Sequence, residues 1–249
     1  MKALLRLLAL ALLAGLALQF YFAGRIALMR VVNPESTAFE RSEVYRVAKN
    51  TGALKWRQQW VPYASVSDHL KRAIIASEDA SFIDHDGVDM QALERAWDKN
   101  AKAEQRAAQS GSRPDADPAK TAPVKMPKIV GGSTITQQLA KNLFLSGERN
   151  LLRKGQELLL TLMLEALLSK QRILEIYLNH VEWAEGVFGA EAAARHYYRK
   201  PASQLSAYEA ARLAVMLPRP KYFESRGNSA YLASRARIIT ARMSGVELP

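Results

Sequence analysis

The sequence predicts a mainly α-helical domain carried behind one N-terminal membrane-spanning helix. Three observations predict it. A long apolar run opens the chain, most later apolar residues recur at three- and four-residue intervals, and the strict alternation of a half-buried strand is almost absent. The chain has 249 residues, 49% of them hydrophobic, enough for one sizeable core. Its 35 Lys and Arg against 24 Asp and Glu give a formal charge of +11. That balance points to anionic partners such as phospholipid head groups, diphosphates or nucleic acid. There is no cysteine, which excludes disulfides, thiolate-bound metals and a thiol nucleophile.

Lys2 and Arg6 precede an apolar run from Leu7 to Gly24, broken only by Gln19, and Arg25 and Arg30 follow. About 18 residues at ~1.5 Å each give roughly 27 Å, close to the ~30 Å of a bilayer core. Phe20, Tyr21 and Phe22 suit an interfacial aromatic belt. The run exceeds the apolar core of a cleaved signal peptide. Residues 1–29 therefore read as an uncleaved anchor, with cleavage at a small-residue site among its Ala and Gly residues as the alternative, and residues 30–249 as one domain. A long domain translocates largely regardless of flanking charge. The expected topology is a cytoplasmic N-terminus and a periplasmic domain on a single-pass anchor in the inner membrane.

Residues 30–66 read as an irregular connector punctuated by Pro34 and Pro62, with Trp56 and Trp60 spaced to share a helical face. From Val66 to Ala76 a helix is predicted, with Val66, Leu70, Ala73, Ile74 and Ala76 inward and Asp68, Lys71 and Arg72 facing water. Met90 to about Ala108 is again helical, apolar first and charged later. Gln109 to Lys128 holds Pro114, Pro118, Pro123 and Pro127 and buries too little apolar surface to balance its ordering entropy. The flexible loop within the domain is set at 98–128.

Thr134 with Gln137 three residues on fits a capping box that starts a helix. Ile135, Leu139 and Leu143 share one face of it, Gln137 and Lys141 another. A second helix starts near Leu151 or Leu152, and its run from Leu158 to Leu164 is apolar nearly all round, as for a central buried helix. Lys170 to Asn179, Gly189 to Tyr198, Ala207 to Met216 and Ala230 to Met243 complete the helices. Gly186 and Gly189 mark a break with room for a small hairpin, and Leu217-Pro218-Arg219-Pro220 ends a helix.

Glu78 follows Ala73-Ile74-Ile75-Ala76, so desolvation should raise its pKa and suit it to accept a proton near neutral pH. A Glu-Asp pair standing alone would be an ordinary helix-end salt bridge. His85 taken alone reads as a structural hydrogen-bonder rather than a metal ligand. The turn Gly131-Gly132 leads into a capped helix whose free N–H groups and dipole form a receptor for phosphate. Lys141 adds a point charge one turn further on.

Several blocks carry a family resemblance. They are Glu78-Asp79-Ala80-Ser81-Phe82-Ile83-Asp84-His85-Asp86-Gly87, then Gly131 to Phe144, Arg149 with Arg153 to Glu157, Lys170 to Asn179, and Gly186 to Ala194. Over about Leu54 to Phe223 the chain resembles the peptidoglycan glycosyltransferases, or transglycosylases, which polymerise lipid II; it is most similar to their single-function, membrane-anchored members. The resemblance implies a lysozyme-like helical glycosyltransferase domain. It implies Glu78 as the general base on the acceptor sugar's 4-hydroxyl, Asp79 as its orienting partner and Glu157 as a second essential carboxylate. Substrate binding is then expected at Asp79, Phe82, His85, Ser133, Thr134, Gln137, Gln138, Lys141 and Asn142. Arg149, Arg153 and Lys154 suit a diphosphate leaving group, whose departing charge must be stabilised. Glu175 and Asn179 would support the site from behind.

The implied partners are lipid II, the nascent glycan chain and membrane lipid, with other cell-wall synthases or division proteins as further candidates and no nucleic acid. No organic cofactor and no metal-ligating residue are implied, while a divalent cation, Mg2+ or Mn2+, has a place at the diphosphate. Three departures are visible. Gln156 stands where some relatives carry lysine, Glu182-Trp183-Ala184-Glu185 replaces a commoner aromatic-Gly pair, and the loop from about Lys99 to Lys128 is longer than usual. No Ser-x-x-Lys occurs, so the acyl-enzyme nucleophile of a transpeptidase is missing. A lytic hydrolase would use a Glu as acid with water as acceptor, but a basic diphosphate cluster serves no purpose there. A non-catalytic lipid-binding scaffold has no need of two carboxylates, and a DNA-binding role rests on charge alone.

Overall fold

The structure is a computed structural model and describes residues 1–111, 132–145 and 151–249. Helix α1, Lys2–Leu28, is long and apolar enough to cross a membrane, with a mean hydropathy of 2.1 in its most apolar stretch, none of it buried in the protein. Its C-terminal part docks on the domain. Ile26 and Met29 are buried in the common core, and Phe22 meets Phe144 edge-on at 5.2 Å between ring centroids. Gln19, the one polar residue of the apolar run, exchanges two amide hydrogen bonds with Gln156, at 3.0 and 3.1 Å.

The expected irregular connector contains a helix instead, α2, Ala38–Thr51. Thr37 and Glu40 form a reciprocal capping box and Gly52, at φ 69°, closes the other end. Few apolar residues mark this helix. Its anchor is polar: the buried Glu40 carboxylate lies 2.8 Å from His180 Nδ1 and accepts from Gln58 Nε2 at 3.2 Å. Trp56 and Trp60 do not share a helical face, because they flank strand β1, Arg57–Gln58.

Helix α3, Asp68–Glu78, is capped by the Ser67 hydroxyl and buries Leu70, Ala73, Ile74 and Ile75. Lys71 does not face water but is 3% exposed, with its ammonium 4.1 Å from the Tyr63 ring centroid and 2.8 Å from Asp68. A cation over a ring face with a carboxylate at hand can leave water. Helix α4, Met90–Gly111, runs on through residues 98–111, so the flexible loop does not begin at 98. The rest of that segment lies outside the described residues.

The capping box of Thr134 and Gln137 is present and opens α5, Ile135–Phe144, with Ile135, Leu139 and Leu143 buried. Helix α6, Leu151–Leu167, is not buried all round. Leu160 and Leu164 are in the core, but Leu158, Leu159 and Leu162 are 44–47% exposed. One side of α6 faces the core and the other forms an apolar outer surface. Next come α7, Lys170–His180, β2, Glu182–Ala184, β3, Val187–Phe188, and α8, Ala190–Tyr198. The chain closes with α9, Ala207–Met216, a short α10, Pro220–Glu224, that the proline-rich exit did not foretell, and α11, Ala230–Arg242.

The core lies where α3, α9 and α11 pack together and where α5 packs on α6 and α7. At its edge sits a three-stranded sheet in the order β1-β3-β2, with β1 parallel and β2 antiparallel to β3. The hairpin expected near Gly186 is therefore β2-β3, extended by a strand from the connector. It turns into α8 at Gly189, whose φ of 82° and ψ of 156° suit glycine almost alone. A Cβ there would stand 2.6 Å from the carbonyl oxygen of Asn179. Gly189→Ala is expected to destabilise the fold by roughly 2 kcal/mol or more, read as a lowered thermal unfolding midpoint.

Candidate active site

The site forms where α3 ends and α5 begins. Asp79, the residue after α3, is 6% exposed and divides its oxygens between the two halves. Oδ2 accepts the backbone N–H of Ile135 at 3.0 Å, and Oδ1 lies 2.8 Å from His85 Nε2. His85 Nδ1 accepts the Gly87 N–H at 3.1 Å, and the Gly87 carbonyl accepts the Thr134 hydroxyl at 2.6 Å. One closed set of bonds thus ties the Glu78–Gly87 segment to the first turn of α5. Gly87 has φ 87° and lies so close to α6 that a Cβ would fall 2.7 Å from Thr161 Cγ2. Burial works against the His85 cation, but the bond and charge of Asp79 outweigh it and hold the pKa above its ordinary value.

Glu78 is oriented separately. Gln138 Nε2 donates to its Oε2 at 3.0 Å, and the buried Tyr177 hydroxyl donates to Gln138 Oε1 at 3.0 Å. A carboxylate only accepts, so the amide must turn its N–H toward Glu78 and its carbonyl toward the phenol. Burial pushes the Tyr177 pKa well above its usual value, which keeps the phenol a donor. Burial also raises the Glu78 pKa and the Asp79 charge adds to this, while the bonds from Gln138 and Ser77 and the charge of Lys141 oppose it.

Two clefts open on either side of Ser133, which lines both. One, of about 340 Å3, is walled by Glu78, Ser77 and Ser81, with Arg95, Lys99 and Arg242 among its other residues. The other, of about 240 Å3, is lined by Gln137, Gln138, Lys141, Arg153, Lys154 and Glu157. Glu157 is 4% exposed; Lys154 bonds to it directly and Arg153 lies 3.5 Å away. An acidic centre with a raised pKa thus faces one cleft and a cationic wall faces the next.

Of the residues expected to bind substrate, Ser133, Gln137, Gln138, Lys141, Arg153 and Lys154 line the second cleft. Asp79 and Thr134 border the first, although Thr134 spends its hydroxyl on the helix cap and on Gly87. Phe82 is fully buried with the Lys170 ammonium 4.7 Å from its ring centroid, and neither Phe82 nor His85 lines either cleft. Both shape the loop beneath Glu78. Asn142 lines neither cleft, and Arg149 lies outside the described residues. Glu175 and Asn179 do not back the site. Glu175 accepts the Tyr63 N–H and Asn179 bonds both backbone groups of Val61, so they hold the connector.

Sequence reasoning missed Tyr177 and the Ser81–Asp89 bond of 2.5 Å that seats α4. It also missed Arg95, Lys99 and Arg242. Only the four-residue spacing of Arg95 and Lys99 carried a signal. Among the described residues no group of three or more His, Asp or Glu converges as a metal site. Glu157 is the one carboxylate lining the second cleft and is already held by two cations.

A shielded carboxylate beside a cation-lined cleft, on a helical domain docked against a membrane-type helix, is an arrangement suited to a group-transfer enzyme. The chain belongs to the transglycosylase family, whose model matches residues 46–113 and 119–244. It is 51% identical over 236 residues to a biosynthetic peptidoglycan transglycosylase of Burkholderia orbicola, covering 95% of this chain and 87% of that protein. A protein of the same description from Paraburkholderia phytofirmans is 50% identical over 239 residues, covering 95% and 90%. One from Burkholderia thailandensis is 51% identical over 236 residues, covering 95% and 84%.

Asp79→Asn leaves either the Ile135 N–H or the His85 N–H facing an amide N–H2 group. The expected cost is about 1–3 kcal/mol in thermal or denaturant unfolding. Loss of the Asp79 charge should also lower the His85 pKa, read by an NMR titration of its ring protons.

Proposed function

We propose that this transglycosylase polymerises lipid II into β-1,4-linked glycan strands, releases polyprenyl diphosphate, and does not cross-link them. The observation that carries the reading is the pairing of Glu78 with the cationic cleft across Ser133. The donor is the growing chain, α-linked through a diphosphate to its lipid. The acceptor's 4-hydroxyl oxygen attacks C1 of the donor sugar from the face opposite the diphosphate. As the new C–O bond forms, the hydroxyl proton passes to Glu78 and the C1–O(phosphate) bond breaks. The configuration inverts from α to β. Lys141, Arg153 and Lys154 meet the charge that develops on the departing diphosphate. Arg149 shares the role its spacing suggested.

Glu157 keeps two of these cations in place, and no step runs through a metal ion. Burial supports Glu78 as base, because a carboxylate with a raised pKa holds a transferred proton better at neutral pH. Glu78 returns that proton to solvent before the next cycle. The position of the anchor supports a lipid-linked donor. Gln19 of α1 bonds to Gln156, the neighbour of Glu157, so the cationic cleft lies beside the membrane helix. The exposed leucines of α6 fit the same surface. The single-pass anchor then holds its N-terminus in the cytoplasm and the domain on the periplasmic side.

Full-length wild-type protein in detergent should convert labelled lipid II into long glycan chains, and Glu78→Gln should make none while unfolding at no lower a temperature. Equal product from both would remove Glu78 as base. The pH profile gives a second test. The acid limb of the rate should fall above the usual carboxylate range. Gln138→Leu removes a bond that favours the carboxylate, so the limb should move to still higher pH.

A further inference from the structure

We propose that Arg242, with Lys99 and Arg95, forms a second anion site in this protein, one that holds a negatively charged group of the acceptor. This rests on the lipid II polymerase reading above. The 340 Å3 cleft carries both signs of charge. Glu78, Asp79 and Asp89 line it, together with three cations drawn from two helices. Arg95 and Lys99 stand four residues apart on α4, so they share a face. Arg242 is the last residue of α11, which packs along α3, the helix that ends in Glu78.

Two of these cations are available. Lys99 and Arg242 form no ion pair with a described carboxylate, and both are exposed. Arg95 lies 3.6 Å from Asp89, a carboxylate already supplied by the Ser81 hydroxyl and the Ala92 N–H. The cleft is separate from the cationic wall around Glu157, since only Ser133 belongs to both. Two clusters are what the reaction needs if donor and acceptor are both anionic. The donor's diphosphate faces Lys141, Arg153 and Lys154. An acceptor whose hydroxyl meets Glu78 and whose other part is anionic would find both a carboxylate and cations in the first cleft. Lipid II carries such charge twice, on its diphosphate and on the carboxylates of its stem peptide.

The test separates the two clefts with a lipid II whose 4-hydroxyl is capped by a further sugar, so that it serves only as donor. With capped donor saturating, natural lipid II is varied as acceptor, and then the roles are exchanged. Arg242→Ala should raise half-saturation for the acceptor about tenfold and that for the capped donor by less than about twofold, as expected for losing one charge-assisted contact. Arg242→Lys should recover part of the loss. Equal shifts for both substrates, or no shift, would overturn the proposal. Lys99→Ala repeats the measurement on another helix, with the same expected asymmetry.

An acceptor with amidated stem-peptide carboxylates then identifies the anion. A persistent Arg242→Ala effect assigns the diphosphate, and a vanished effect assigns the peptide. If wild type makes no glycan, the polymerase reading fails on its own. Binding of labelled lipid II to the Glu78→Gln protein, with and without Arg242→Ala, still decides this site: weaker binding supports it and unchanged binding overturns it.

Discussion

One buried carboxylate holds the site in register. Asp79 accepts from the first N–H of α5 with one oxygen and faces His85 with the other. The N–H it satisfies is one of the four that a helix start leaves unpaired. Its charge sits at the positive end of the α5 dipole, where an anion is favoured. The same contact holds the end of α3 against the start of α5, where Ser133 borders both clefts. His85, Gly87 and Thr134 close the ring of bonds, and the close approach of Gly87 to Thr161 seats it on α6.

The two adjacent carboxylates therefore live in opposite surroundings. Asp79 is supplied with donors on both oxygens and is committed to the fold. Glu78 is shielded from water, receives one bond from Gln138, and lies beside the Asp79 charge. The geometry leaves Asp79 to the fold and Glu78 facing the cleft. The strain of keeping Glu78 partly desolvated is carried by the surrounding core, with Ile74 and Ile75 of α3 below it and Tyr177 of α7 behind Gln138.

How much of this was legible in the sequence depended on whether the cause was local. The start of α5 was readable because a capping box is a four-residue signal, and α9 because Ala207 to Met216 has a regular apolar face. The raised pKa of Glu78 followed from the apolar residues before it. Helix α2 carries the same kind of local signal, a Thr37–Glu40 capping box and buried Val44 and Val47, and was missed because its inward face is shared with a buried polar Glu40–His180–Gln58 cluster. The outer face of α6 was misread because leucine is apolar wherever it points, in a core or toward lipid. Strands of two and three residues carry no alternation to read. Tyr177 and Arg242 reach the site through tertiary packing of α7 and α11, which no spacing near Glu78 could announce.

The docking of α1 couples the remaining pieces. Amides are costly in hydrocarbon unless paired, so Gln19 within the apolar run finds its best partner in another amide. Gln156 supplies it, and Phe22 and Ile26 pack the same face of the anchor against Phe144 and the core. Each of these contacts is made by α5 or α6, the helices that carry Lys141, Arg153, Lys154 and Glu157. The anchor therefore packs on the two helices that carry most of the lining of the cationic cleft. Gln156 does not line the cationic cleft, and its amide is given to the anchor instead.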